Sequence, residues 1–167
     1  VVDNDATVAG YAESIAGVSK GTKSSVFITL GTGVGGGIVI NGKPYSGAHG
    51  IGSEIGHMII KMDGEPCTCG NKGCFERYAS ATAIIREAQR AVEKHPESAI
   101  LARCGGDAEK INAKIVIDCA KAGDATAKQV FDEYVKGLAH GIVSLFNVLD
   151  PEVIVLGGGV SMAGEYL

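Results

Sequence analysis

Three thiols and an imidazole are the side chains in this sequence best grouped for chemistry. Cys67, Cys69 and Cys74 fall within eight residues, His57 lies ten residues before the first, and Gly70 and Gly73 free the backbone between them. A disulfide between Cys67 and Cys69 would close a strained ring, and no export signal argues for an oxidising compartment. The spacing is not the C-x-x-C of a thioredoxin-type redox pair. As a metal site the stretch works well: His57, Cys67, Cys69 and Cys74 make a Cys₃His set suited to a closed, structural Zn²⁺. The alternative is three unrelated loop cysteines. Cys104 and Cys119 stand apart, and Cys119, inside a helical pattern, reads as a small core residue.

Two glycine runs form the second chemical signal. GTGVGG at Gly31–Gly36 has the letters of a dinucleotide fingerprint, but that motif must open a helix, and here a strand and a hairpin follow. A tight or bulged turn is one reading, with Gly31 to Gly37 as the bend. The other is a phosphate cradle, in which backbone N–H groups form an anion nest and Thr32 adds a hydroxyl. VIVLGGGVSM, a buried strand running through Gly157, Gly158 and Gly159 into a new helix, strengthens the cradle reading. Two such junctions in one domain suggest a nucleotide held between them.

These groups need elements to position them. Asn4 or Asp5 can cap a helix over Ala6 to Ala16 that Gly17 stops. SSVFITL reads as a strand, IVI as a second, and Asn41-Gly42 between apolar runs signals a hairpin. The segment Ile55 to Ile60 offers a further strand. Ser80 can cap a helix ending before Pro96, a second helix covers roughly Lys110 to Ala122, and the longest runs from Asp124 to Leu149. In that last helix Phe131, Val135, Leu138, Ile142, Leu145 and Leu149 make one buried stripe. EVIVL, after Pro151, is a short strand. The sum is a mixed α/β domain: a sheet that opens with a β-hairpin, packed by helices.

Composition agrees. Hydrophobic residues are 46% and charged ones 20% of 167, which excludes wholesale disorder, while 25 glycines are roughly twice the usual share. A net charge of −4 without a basic stripe argues against nucleic acid as a partner of this segment. No apolar run reaches about 18 residues, which argues against a membrane span. The opening VVDNDATVAG and the closing SMAGEYL both read as interior sequence, so a piece of a longer, cytoplasmic protein is expected.

Taken in order, TLGTGVGGGIVING, GSEIGHM, CTCGNKGCFERYAS and VIVLGGGV resemble the repressor/open-reading-frame/kinase (ROK) family of sugar kinases and sugar-responsive regulators, and most of all its glucokinases. The resemblance implies an actin-like ATPase (ribonuclease H-like) fold. It implies that residues 1–167 are most of the second, C-terminal lobe of a two-lobe kinase, without the N-terminal lobe and the extreme C-terminus. Asp5 then matches the catalytic base and Asn4 a sugar contact. Glu54, His57 and Glu76 match further sugar ligands, with His57 also on the metal. Thr32 and Gly33 match the phosphate-binding bend, and Gly158 and Gly159 the nucleotide side. ATP, Mg²⁺ and a structural Zn²⁺ are the implied cofactors, glucose is the implied substrate at its 6-hydroxyl, and the full-length protein is implied to be a homodimer. This segment alone would be inactive. The family's other class, a sugar-sensing repressor with its DNA-binding part outside this segment, is the alternative. Two positions depart from the family pattern: Thr7 where Asn is usual, and Ser53 where Gly is usual. Without the resemblance, Asp5 is simply a helix cap, and Glu54 and Glu76 are surface carboxylates.

Overall fold

The computed structural model describes residues 4–167. Strands β1 (Ser25–Leu30) and β2 (Val34–Ile40) pair antiparallel, from Leu30↔Val34 back to Ser25↔Val39. Asn41 and Gly42, both at positive φ, turn the chain into β3 (Lys43–Pro44), as a two-residue hairpin of this type requires. Strand β4 (Val153–Gly157) joins the other side of β1 in parallel, giving the order β3-β2-β1-β4. The sheet is therefore mixed and opens with a hairpin, as expected.

The bend is shorter than the glycine run. Gly35, Gly36 and Gly37 lie inside β2, not in the turn. They are glycines because both faces of the strand are closely covered. Helix α1 (Asp5–Ala16) sits on one face, where a Cβ at Gly35 would come 2.8 Å from the Ala6 side chain and one at Gly37 2.6 Å from the Ala6 carbonyl. On the other face a Cβ at Gly36 would meet the Ser53 carbonyl at 2.6 Å.

A second expectation fails at Ile55 to Ile60, which is not a strand. Ile55–His57 winds as a 3₁₀ turn, and Ile59 makes only an isolated bridge to Cys74. The amides of Ile55, His57 and Met58 bond to Ser53, Glu54 and Ile55 carbonyls, so they are satisfied locally and unavailable to a ladder.

Helices α2 (Glu76–Ala79), α3 (Ala81–Lys94), α4 (Ala99–Arg103), α5 (Ala113–Lys121) and α6 (Ala125–Leu149) fill the rest of the chain up to β4. α5 begins later than Lys110 because Asn112 caps it, accepting from the Ile115 amide at 3.0 Å. From α6, Phe131, Leu138 and Leu145 are buried, and Val135, Ile142 and Leu149 pack at the core's margin. Cys119 is fully buried, as a core residue should be. α6 also seats α2: Gly141 faces the Phe75 ring, and a Cβ at Gly137 would lie 2.8 Å from that of Tyr78. Phe75 is wholly buried, so the residue between Cys74 and Glu76 is pinned to the core.

Asp124 caps two helices with one carboxylate. It accepts from the Ala127 amide of α6 at 2.8 Å, and from the Ala99 amide and Ser98 hydroxyl of α4 at 2.8 and 3.0 Å. Burial alone would raise its pKa, but the hydrogen bonds from Ala127, Ala99 and Ser98 outweigh it and hold the carboxyl below its ordinary value. Asp124→Ala is therefore expected to cost about 2 kcal/mol in urea unfolding at neutral pH. A depressed native pKa means the charged cap contributes fully above the unfolded carboxylate range. That contribution fades as pH falls through the lower native value. Parent and variant should converge in strongly acidic buffer; a gap that is independent of pH would show that the carboxylate charge is not what matters.

Candidate functional site

The metal knuckle is built between Met58 and Phe75. The Phe75 amide donates to the Met58 carbonyl at 2.8 Å, and the Cys67 amide to the Asn71 carbonyl at 2.8 Å. These tight connections fold the four expected ligands onto one point. The Cys67, Cys69 and Cys74 sulfurs and a ring nitrogen of His57 all lie within 4.8 Å of one another. Cys69 and Cys74 sulfurs are 3.6 Å apart, and Cys67 Sγ is 3.6 Å from His57 Nδ1. A tetrahedral ion with metal–sulfur bonds of about 2.3 Å sets ligand edges of about 3.8 Å, close to the two shortest donor separations and within about 1 Å of the longest, so the donor set suits one ion.

Electrostatics favour a cation there. Burial, followed by its cysteine neighbours, pushes the Cys74 thiol up to about 12. Cys69, at the surface, is shifted down, chiefly by a backbone hydrogen bond from Asn71. Three thiolates cannot share so small a space without a positive charge among them.

The remaining expected residues continue from this knuckle in a line of contacts. Glu76, at the start of α2, places Oε1 3.5 Å from Cys67 Sγ. Its other oxygen lies 2.7 Å from where a Cβ on Gly33 would stand. A side chain at Gly33 would therefore displace the Glu76 carboxylate, which places the glycine bend beside a candidate sugar ligand. Three residues before His57, Glu54 accepts from Asn4 Nδ2 at 3.3 Å. Asn4 also caps α1, accepting from the Ala6 and Thr7 amides at 2.9 and 3.4 Å. The cap is therefore Asn4, and Asp5 beside it is exposed, with Oδ1 accepting from the Ala6 amide at 2.8 Å.

The two glycine runs meet at the carboxyl ends of the parallel strands β1 and β4. A Cβ on Gly158, at φ +87°, would come 2.6 Å from the carbonyl of Leu30, the residue before Gly31. Gly31 and Gly159 face open space. Ligands of α/β sheets bind outside such strand ends, where backbone can approach them.

Sequence reasoning missed several supports. Glu65 on the knuckle pairs with Arg90 at 2.7 Å and Arg86 at 3.8 Å on α3, and the hydrogen bond from Arg90 leads the causes that lower its pKa. Tyr78 Oη accepts from the Glu65 amide at 2.7 Å. Nothing in the spacing of these residues announces pairs so far apart in the chain. Ser53 was visible as a departure. It holds φ +76° beside Glu54, and its hydroxyl donates to the Tyr45 carbonyl at 2.8 Å, which offsets the left-handed backbone.

A mixed sheet flanked by helices, joined to a Cys₃His knuckle, defines a mixed α/β domain. The chain belongs to the ROK family, whose sequence model matches residues 1–167. It is 46% identical to a glucokinase of Halalkalibacterium halodurans over 171 aligned positions, covering 100% of this chain and 51% of that protein. A ROK family glucokinase from Streptomyces griseus, crystallised with glucose and AMPPNP, matches with a TM-score of 0.91 at 38% identity, over 99% of this chain and 54% of that one. A putative xylose repressor of Caldicellulosiruptor is 30% identical over 98% of this chain and 41% of that protein. The chain spans about half the length of the glucokinases it matches. No described helix is long and apolar enough to cross a membrane.

Proposed function

We propose that this chain is the second lobe of an actin-like, two-lobe hexose kinase that transfers the γ-phosphoryl of ATP to the 6-hydroxyl of glucose. The supporting observation is the succession of contacts from Asn4 to Glu54, through backbone to His57, and on through Cys67 to Glu76 beside Gly33, which gathers the proposed hydroxyl-binding groups near a glycine bend. Carboxylates and an imidazole suit a sugar because each can fix hydroxyls by hydrogen bonds. Asn4, Glu54, His57 and Glu76 hold the sugar. Asp5 takes the proton of the attacking hydroxyl as its oxygen bonds to the γ-phosphorus and the bond to the bridging oxygen of ADP breaks. The Thr32–Gly33 bend and the Gly158–Gly159 junction receive the nucleotide. Mg²⁺, when bound, neutralises charge on the phosphates. His57, Cys67, Cys69 and Cys74 would hold a Zn²⁺ ion, and that coordination would fix His57 and the Glu76 loop from outside the sugar site.

The level of identity to the glucokinase, against that to the repressor, favours catalysis over sensing. An intact carboxylate at Asp5 agrees with the kinase, although a regulator of the family can keep an acidic residue there. The test is a coupled assay on the full-length protein with ATP and a panel of hexoses. Glucose 6-phosphate formation is expected, with none from residues 1–167 alone. A full-length protein that binds glucose but phosphorylates no hexose, and carries a helix-turn-helix ahead of Val1, would establish the repressor reading instead.

A further inference from the structure

We propose that Thr82 is a positioning residue for the phosphate bend, holding it in the form that can accept a triphosphate. This rests on the kinase reading and assigns a task to a residue outside the expected site.

The bend Gly31–Gly33 presents three successive carbonyls, and each is occupied. The Gly33 carbonyl accepts from the Gly31 amide at 3.1 Å, and the Gly31 carbonyl from the Ala81 amide at 2.8 Å. The Thr32 carbonyl accepts from the Thr82 hydroxyl at 2.7 Å, across fifty residues of sequence. The two bonds between bend and helix thus come from the first turn of α3. Carbonyl oxygens repel phosphate, so an anion nest forms only where they are turned away and the amides are left to face the ligand. Among the described residues, Thr82 supplies the one side-chain tether on the central peptide of the bend.

The tether is itself anchored. Ser80 is 2% exposed and caps α3, accepting from the Ala83 amide at 3.1 Å, which fixes the turn carrying Thr82. A threonine in the first turn of a helix ordinarily bonds its own backbone neighbours. This one reaches across to the bend instead. The same corner leads back through α2 to Glu76, whose carboxylate overhangs Gly33. Thr82 therefore governs the nucleotide side of a junction whose sugar side is governed by the knuckle.

The experiment compares Thr82→Val, Thr82→Ala and Thr82→Ser in the full-length protein by steady-state kinetics and by AMPPNP calorimetry. Loss of one such tether is expected to raise KM for ATP, and weaken AMPPNP, by about five- to tenfold. KM for glucose should stay within about twofold, a hydroxyl-free tether being the sole change. Thr82→Ser should restore the parental values. Should Thr82→Val fail to fold, the Ala and Ser pair carries the same comparison. Unchanged nucleotide binding in a folded Val or Ala variant would overturn the proposal, as would equal loss of ATP and glucose affinity, which marks a merely structural role. If the parent phosphorylates no hexose yet binds AMPPNP, the kinase reading fails while the calorimetry still decides the role of Thr82. A parent that binds no nucleotide would overturn both.

Discussion

Asp5→Asn in the full-length protein is expected to lower turnover by about 10²–10⁴-fold while leaving glucose affinity nearly unchanged. The structure makes this substitution a clean test because helix capping falls on Asn4 and not on Asp5, the proposed base. Asn4 accepts from the Ala6 and Thr7 amides and so starts α1. Asp5 adds one bond, its Oδ1 accepting from the Ala6 amide, and the side-chain oxygen of an asparagine can keep it. Size, polarity and that bond survive; only the capacity to take a proton is lost. Steady-state kinetics should show kcat falling with KM for glucose flat, while melting temperature and zinc content match the parent. Near-normal turnover would remove Asp5 from the role of base. A fall accompanied by a large drop in melting temperature would show that the residue matters to α1 and not to chemistry.

That separation was not legible in the sequence, where Asn4 and Asp5 were equal candidates for the cap. Local signals did better. The Asn41-Gly42 turn, the cap at Ser80, the start of the long helix at Asp124 and the stripe from Phe131 to Leu149 are each set by a few neighbouring residues, and each stands where expected to within a residue. The Cys₃His cluster was legible for the same reason, since ten residues and a short connection leave few ways to arrange four ligands. What could not be read depends on contacts between distant segments. Gly35 to Gly37 look like a turn but are strand residues cleared for α1 and Ser53, because packing on both faces overrides their weak strand preference. Ile55 to Ile60 has β-like composition, yet its amides close local turns that carry Glu54 and His57 to the site. The contact between Glu76 and Gly33 joins residues from separate motifs and has no signature in either.

Cys74→Ser is expected to abolish the binding of about one Zn²⁺ per chain and to raise KM for glucose in the full-length protein by about tenfold or more. Cys74 is the ligand on which the rest depends. Its side chain is fully buried, Phe75 after it is pinned in the core, and Glu76 follows next. Burial pushes its thiol up to about 12, so at neutral pH it loses its proton to solvent only when a cation held by its neighbours takes the thiolate. Metal binding must therefore release protons, and zinc affinity should fall as pH is lowered, which a competition titration against a chelator would read. A hydroxyl at this position cannot replace a thiolate, so the ion is expected to be lost, and the two proposed sugar ligands would lose their support together. His57 would be released directly, and Glu76 through the loosened Cys74 two residues before it. Stripping the metal from the parent with a chelator should reproduce the glucose defect, and adding Zn²⁺ should reverse it. Elemental analysis showing no zinc in the native protein would refute the metal assignment. Glucose affinity unchanged after complete metal removal would refute the supporting role while leaving the metal in place, because the knuckle would then hold its shape on the Phe75 anchor and the Glu65–Arg90 pair alone.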